Sequence, residues 1–225
     1  MQDEFIQRLF SDPNMLRMGH LQRQEDLNLG LGWLYYALGR IVRPSRAVVI
    51  GSLCGFAPAL IAKALSENVE KGEVHFIDPS YVNGFWADAE KVDAHFNGLG
   101  TPNIRHYCLT TQKFLETPAY AGLADIGLLM IDGLHTAVQA RLDYLSFLDK
   151  LSDNAVVLFH DSVRPKVSPI YGKDRAYTHT VHLFMDRLRN TPGLQVFSLP
   201  FADGITMVQG HPQSLDEINR PFDGE

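Results

Sequence analysis

From Arg46 onward, short apolar runs alternate with stretches long enough for a helix, and this rhythm limits the fold more than any single residue does. AVVI (47–50), VHFID (74–78), IRHYCL (104–109), IGLLMID (126–132) and AVVLFHD (155–161) read as strands. Helical stretches fall between them, at 59–69, around 87–96, near 111–115 and over 137–151. The strand runs are continuously apolar rather than alternating, as expected for strands covered on both faces. Successive β and α units call for right-handed crossovers and a mainly parallel sheet. The expected fold is therefore α/β and doubly wound, with helices on both faces. LQVFSLP (194–200) and GITMVQG (204–210) would add a hairpin-like, antiparallel C-terminal strand.

The rest of the chain fits around this unit. Leu27, Leu31, Leu34 and Leu38 recur at helical spacing, so residues 1–45 read as a helical cap. Residues 46–210 form the main domain and 211–225 a polar tail expected to fray. The segment 163–180 is long and aperiodic, as active-site loops often are. With 45% apolar and 20% charged residues, the 225-residue chain has an ordinary globular composition. It contains no apolar run of membrane-spanning length, and MQDEFIQRLF lacks a secretory layout; a cytoplasmic protein with no membrane partner is expected. Cys54 and Cys108 are too few for a disulfide framework and are expected to pack as core thiols. A formal charge of −6 disfavours a nucleic-acid partner and leaves a small molecule as the expected ligand.

VVIGSLCGFAP joins the first strand to the first helix, placing Gly51 and Gly55 where the backbone turns tightly near the carboxyl edge of the sheet. Asp78 closes the next strand, where a carboxylate can accept hydrogen bonds from ribose hydroxyls. A lone GxxxG is also what any glycine-bearing strand-to-helix turn looks like. Coupled to the acid, it favours a nucleoside cofactor. The chain has neither GxGxxG spacing there nor a GxxxxGK[ST] phosphate loop.

The fourth strand ends in IDGLH and the fifth in FHD, so Asp132, His135, His160 and Asp161 reach the same rim. Acids and imidazoles directly after apolar strands are costly as unpaired core residues. Two carboxylates with a histidine suit a divalent ion such as magnesium or manganese, ahead of zinc or iron. Against this stands a structural reading in which Asp132 caps a helix and His160 is a satisfied interior histidine.

These residues resemble the metal-dependent branch of the class I S-adenosylmethionine-dependent O-methyltransferases, especially macrolide-sugar O-methyltransferases and, more distantly, catechol O-methyltransferase. The resemblance spans about Ala47 to Gly210 through VVIGSLCGFAP, VHFIDPS, IGLLMIDGLH, AVVLFHDS and ADGITMV. It implies a Rossmann-like fold and methyl transfer from S-adenosyl-L-methionine to a hydroxyl of a small molecule (a sugar, polyketide or phenol), assisted by a divalent metal such as Mg2+. Carried over, Gly51, Ser52 and Gly55 face the methionine part, Asp78 the ribose, and Thr110 and Thr111 the adenine, with Asp132 also bordering the cofactor. The metal ligands fall on Asp132, His160 and Asp161, and His135 takes the place of the general base.

Two positions depart from the family: Val49 stands where many relatives carry an acid, and His160 where catechol O-methyltransferase has an aspartate. Acceptor binding is expected from Lys166, Tyr171, Arg175, Tyr177 and His179. The excess of cations in that loop points to an anionic group on the acceptor. The N-terminal helices offer a surface for a homodimer. Competing classes are a metal-dependent hydrolase, which leaves the glycine loop and Asp78 without a role, and a non-catalytic cofactor-binding protein on the same fold.

Overall fold

The computed structural model describes residues 3–17 and 20–222. The chain opens with α1 (Asp3–Ser11) and α2 (Gly32–Val42), then β1 (Arg46–Ile50), α3 (Phe56–Ser66), β2 (Glu73–Ile77), α4 (Ala89–Leu99) and β3 (Ile104–Tyr107). Two short helices follow, α5 (Thr111–Phe114) and α6 (Pro118–Ala121), and then β4 (Ile126–Ile131), α7 (Ala137–Phe147) and β5 (Leu151–His160). The last part holds β6 (Val167–Ser168), β7 (Tyr177–Thr178), α8 (Val181–Arg189), β8 (Leu194–Leu199), β9 (Ile205–Gly210) and α9 (Asp216–Asn219).

Seven strands form one sheet in the order β3-β2-β1-β4-β5-β9-β8. The pairs from β3 through β5 are parallel, and β9 runs antiparallel to both β5 and β8. The expected doubly wound, mainly parallel Rossmann-like sheet with one antiparallel C-terminal strand is the fold observed. Successive residues of β1 show why both faces need cover. Ala47 and Val49 enter a core with Phe5, Tyr35, Leu60 and Phe96, whereas Val48 and Ile50 enter one with Phe114, Tyr144, Phe147 and Phe184. The period-two alternation of Cβ positions thus divides one strand between two helical layers. The order reverses at β1 and β4, which opens a crevice at their carboxyl ends.

Several expectations are corrected. The Leu27–Leu38 pattern is not one helix: α2 begins at Gly32, and Leu27 has a left-handed φ of 55°. Asn28 Oδ1 accepts from Gly30 N at 2.8 Å, a local turn that competes with helix. Strand β5 begins at Leu151 rather than Ala155, because a single 3-10 turn (Leu148–Lys150) suffices to leave α7. Within the long loop, β6 and β7 form a small hairpin that its aperiodic sequence does not announce.

As far as Phe222 the tail is packed down rather than frayed. Ile218 and Phe222 are buried in the second core, Arg187 donates to Pro221 O at 2.7 Å, and its guanidinium lies 3.5 Å from the Phe222 ring centroid. Cys54 is buried as expected, but Cys108 is exposed just beyond the end of β3. Among the described residues no helix is long and apolar enough to cross a membrane.

Candidate active site

The crevice at the strand ends is a cavity of about 740 Å³, within the size range of small-molecule sites. Its floor is the junction of β1 and β4. Gly51 has φ +72°, and a Cβ there would stand 2.4 Å from Asp132 O and 2.5 Å from Gly133 Cα, so only glycine lets the two loops touch. Asp132 N donates to Ile50 O at 2.8 Å across the same junction. Asp78 binds the glycine loop directly: its carboxylate accepts from Ser52 N at 3.1 Å and from Ser80 N at 2.7 Å. Burial holds this carboxyl above its ordinary pKa despite those two donors.

Gly51, Ser52, Asp78, Thr110, Thr111 and Asp132 all line the cavity; Gly55 does not. Gly55 opens α3 at φ +90°, and a Cβ there would meet the Trp86 ring at 2.8 Å. What requires glycine here is the turn and the aromatic packing behind it. Thr110 caps α5, its hydroxyl accepting from Lys113 N at 3.3 Å.

The polar cluster converges as its sequence positions suggest. Asp132 Oδ1 lies 2.8 Å from His160 Nδ1 and 3.2 Å from His135 Nε2. Asp161 Oδ1 is 3.3 Å from His160 Nδ1, and Asp161 Oδ2 is 3.3 Å from His179 Nδ1. Two groups of three present ligand atoms within 4.8 Å of one another: Asp132, His135 and His160, and also His135, Asp161 and His179. Burial alone would raise the Asp132 carboxyl, but the His160 charge beside it and the hydrogen bond from His135 bring it well below its ordinary range. Burial opposes charge on His160 as well, yet the Asp132 carboxylate outweighs it and raises the imidazole. Asp161 is likewise lowered against its burial, by the His179 imidazole beside it and the His160 charge. Asp161 holds a left-handed φ of 49°, strain of about 1–3 kcal/mol of the kind that gathers at functional sites.

The loop residues expected to bind an acceptor, Lys166, Tyr171, Arg175, Tyr177 and His179, line the same cavity. Their rings form a stack, His135 to His179 at 4.4 Å, His179 to Tyr177 at 5.3 Å and Tyr177 to Tyr171 at 5.9 Å. Lys166 pairs with Asp203 and lies 3.5 Å from Asp161, so its charge is already balanced by two carboxylates. That leaves Arg175 as the cavity-lining cation of the loop without such a pair among the described residues.

Two lining residues escape sequence reasoning. His20 comes from the N-terminal segment; its Nδ1 is 2.8 Å from the Tyr35 hydroxyl and its ring is 4.6 Å from that of His160. Burial, then the His160 charge, lower it to about 3, so it is neutral. Asp143 is buried on α7, accepts from Gln139 at 2.8 Å, and is pushed up to about 6 by burial. The helical register of α7 places Asp143 on its inner face, a weak signal; nothing local marks His20.

Fold and site together define an α/β protein in which a glycine loop and Asp78 share one cavity with a cluster of acids and imidazoles. Residues 48–162, half of the chain, match the methyltransferase domain family, and the chain belongs to it. Among solved structures it resembles an O-methyltransferase from Bacillus cereus in complex with SAH, at 13% identity over 93% of this chain and 92% of that one, with a TM-score of 0.67. The O-methyltransferase TomG from Streptomyces achromogenes, in complex with SAM, gives 17% identity over 94% and 91% of the two chains and a TM-score of 0.61. A methyltransferase from Geobacter sulfurreducens gives 20%, 95%, 91% and 0.59 in the same order. At such identities the likeness concerns the fold. A curated relative, the uncharacterized protein y4gI of Sinorhizobium fredii, is 28% identical over 135 residues, which is 58% of this chain but only 14% of that protein.

Proposed function

We propose that the protein transfers the methyl group of S-adenosylmethionine to a hydroxyl of a small molecule, a sugar, polyketide or phenol, with help from a divalent ion. One observation carries this: a single cavity joins the glycine loop and Asp78 to Asp132, His135, His160 and Asp161. A hydrolase needs the second group only.

In this reading Gly51 and Ser52 border the methionine part, Asp78 accepts from the ribose hydroxyls, and Thr110 and Thr111 border the adenine. The acceptor oxygen forms its bond to the methyl carbon as the carbon–sulfur bond breaks, leaving S-adenosylhomocysteine. Tyr171, Tyr177 and His179 wall the acceptor and exclude water around it. His135 Nε2 is held by Asp132, which leaves Nδ1 to receive the hydroxyl proton.

The donor set fits an ion. His160 Nδ1 is buried without a hydrogen bond although two carboxylates crowd it, as a ligating nitrogen would be. Asp132, His160 and Asp161 would hold the ion, whose charge would lower the hydroxyl's pKa and orient it.

Calorimetry with S-adenosylmethionine, followed by turnover on hydroxylated acceptors with and without chelator, tests the proposal. Cofactor binding and chelator-sensitive methylation are expected. No cofactor binding would favour the hydrolase.

A further inference from the structure

We infer that the ion taken here is a borderline transition ion of the iron(II), cobalt, nickel or zinc class, bound through His160 Nδ1, rather than magnesium in an all-oxygen shell. The inference rests on the reading of this cavity as an ion site, and it follows from features in which this chain departs from an oxygen-donor pocket.

The spacing comes first. Two donors about 2.1 Å from one ion, at angles between about 90° and 110°, lie roughly 3.0–3.4 Å apart. His160 Nδ1 stands 3.3 Å from Asp161 Oδ1, within this range, and 2.8 Å from Asp132 Oδ1, slightly inside it, so the nitrogen is close enough to both carboxylates to share an ion with them. An oxygen-only shell would have to pass around it.

The nitrogens themselves are unmet. His160 is 7% exposed and His179 2% exposed, and neither His160 Nδ1 nor either ring nitrogen of His179 makes a hydrogen bond. A buried polar atom without a partner is costly, and a cation held jointly with the two carboxylates would supply one. The His20 ring, fixed by Tyr35, packs 4.6 Å from the His160 ring and helps to hold that imidazole in place.

The composition of the cluster agrees. Even with His135 set aside as the base, each group of three potential ligands keeps one imidazole, His160 in one and His179 in the other, and among the described residues no such group is formed of oxygen donors alone. Imidazole suits zinc, iron and nickel, whereas magnesium prefers carboxylates, phosphates and water in an octahedron.

Because zinc and cobalt outbind magnesium at most sites, affinity alone is a poor readout. The test therefore follows the His160 ring. Chelator-stripped full-length protein, labelled with ¹⁵N-histidine, is titrated with zinc, and the Nδ1 resonance of His160 is expected to move to the value of a metal-bound nitrogen. Cobalt added to the same protein is expected to give visible absorption of a site with nitrogen ligands. In His160→Asp, cobalt affinity is expected to fall at least about 10–100-fold while magnesium affinity holds or rises. If that variant does not fold, the wild-type resonance decides.

An unmoved His160 resonance at saturating zinc, magnesium that stoichiometric cobalt cannot displace, or no ion bound at all would overturn the inference. S-adenosylhomocysteine calorimetry on the same sample separates the two readings. Binding without a histidine-ligated ion leaves methyl transfer standing and removes the ion class; no binding removes methyl transfer itself.

Discussion

Replacing Gly51 with alanine tests whether the β1–β4 junction is the floor on which the cofactor site rests. At φ +72° an L-residue pays for left-handed backbone, about 1–2 kcal/mol. The new methyl group would also stand 2.4 Å from Asp132 O and 2.5 Å from Gly133 Cα, both backbone atoms that cannot rotate away. Overpacking of this kind costs about 1–3 kcal/mol, which brings the total to about 2–5 kcal/mol. For a chain of 225 residues each kcal/mol moves the melting temperature by about 2–4 °C, so a drop of about 4–20 °C is expected by differential scanning calorimetry. If instead the loops part to make room, Asp132 and Ser52 move away from each other and S-adenosylhomocysteine affinity falls while stability is partly kept. Gly98→Ala is the control: it lies in α4, a Cβ there meets nothing within 4 Å, and it should stabilise by up to about 1 kcal/mol. A Gly51→Ala protein that melts within 2 °C of wild type, the bottom of the range for about 1 kcal/mol, and binds S-adenosylhomocysteine equally well would refute the argument.

Three further outcomes are expected. Asp78→Asn removes one carboxylate oxygen and its charge from donors worth about 1.5–3 kcal/mol, so S-adenosylhomocysteine affinity should fall roughly 10–100-fold by calorimetry; an unchanged affinity would remove Asp78 from the ribose site. Asp143 ionises near about 6 in the fold against an ordinary 3.8, so between these values the folded chain binds more protons than the unfolded one, and stability falls by about 3 kcal/mol as pH rises across that window. In urea titrations Asp143→Asn should therefore gain on wild type at pH 8 relative to pH 4.5, and an equal difference at the two values would contradict the assignment. His135→Ala should lower turnover by about 10²–10⁴-fold with S-adenosylhomocysteine affinity kept; turnover at the wild-type level would exclude it as proton acceptor, and lost ion affinity would make it a ligand instead.

The sheet, its switch point and the rim residues were legible because they are written locally. Apolar runs of strand length, a glycine turn after the first, and polar residues directly after the fourth and fifth place Gly51, Asp78, Asp132 and Asp161 on one edge once a parallel sheet is assumed. The same local logic misled at Leu27, where the periodicity is helical but the Asn28–Gly30 turn takes the hydrogen bonds. It also misled at the tail, whose polar composition hides two apolar anchors, Ile218 and Phe222.

By itself, then, the sequence determined which chain segments are strands and which residues stand at their carboxyl ends, since strand period and turn chemistry act over a few residues. The tertiary structure decided what surrounds them. It brought His20, held by Tyr35, onto His160 from a segment more than a hundred residues away, closed the charge of Lys166 with Asp203, buried Asp143 beside the cavity, and set Gly55 against Trp86. Those contacts depend on how packed layers meet in space, and no local pattern encodes the neighbour that folding delivers.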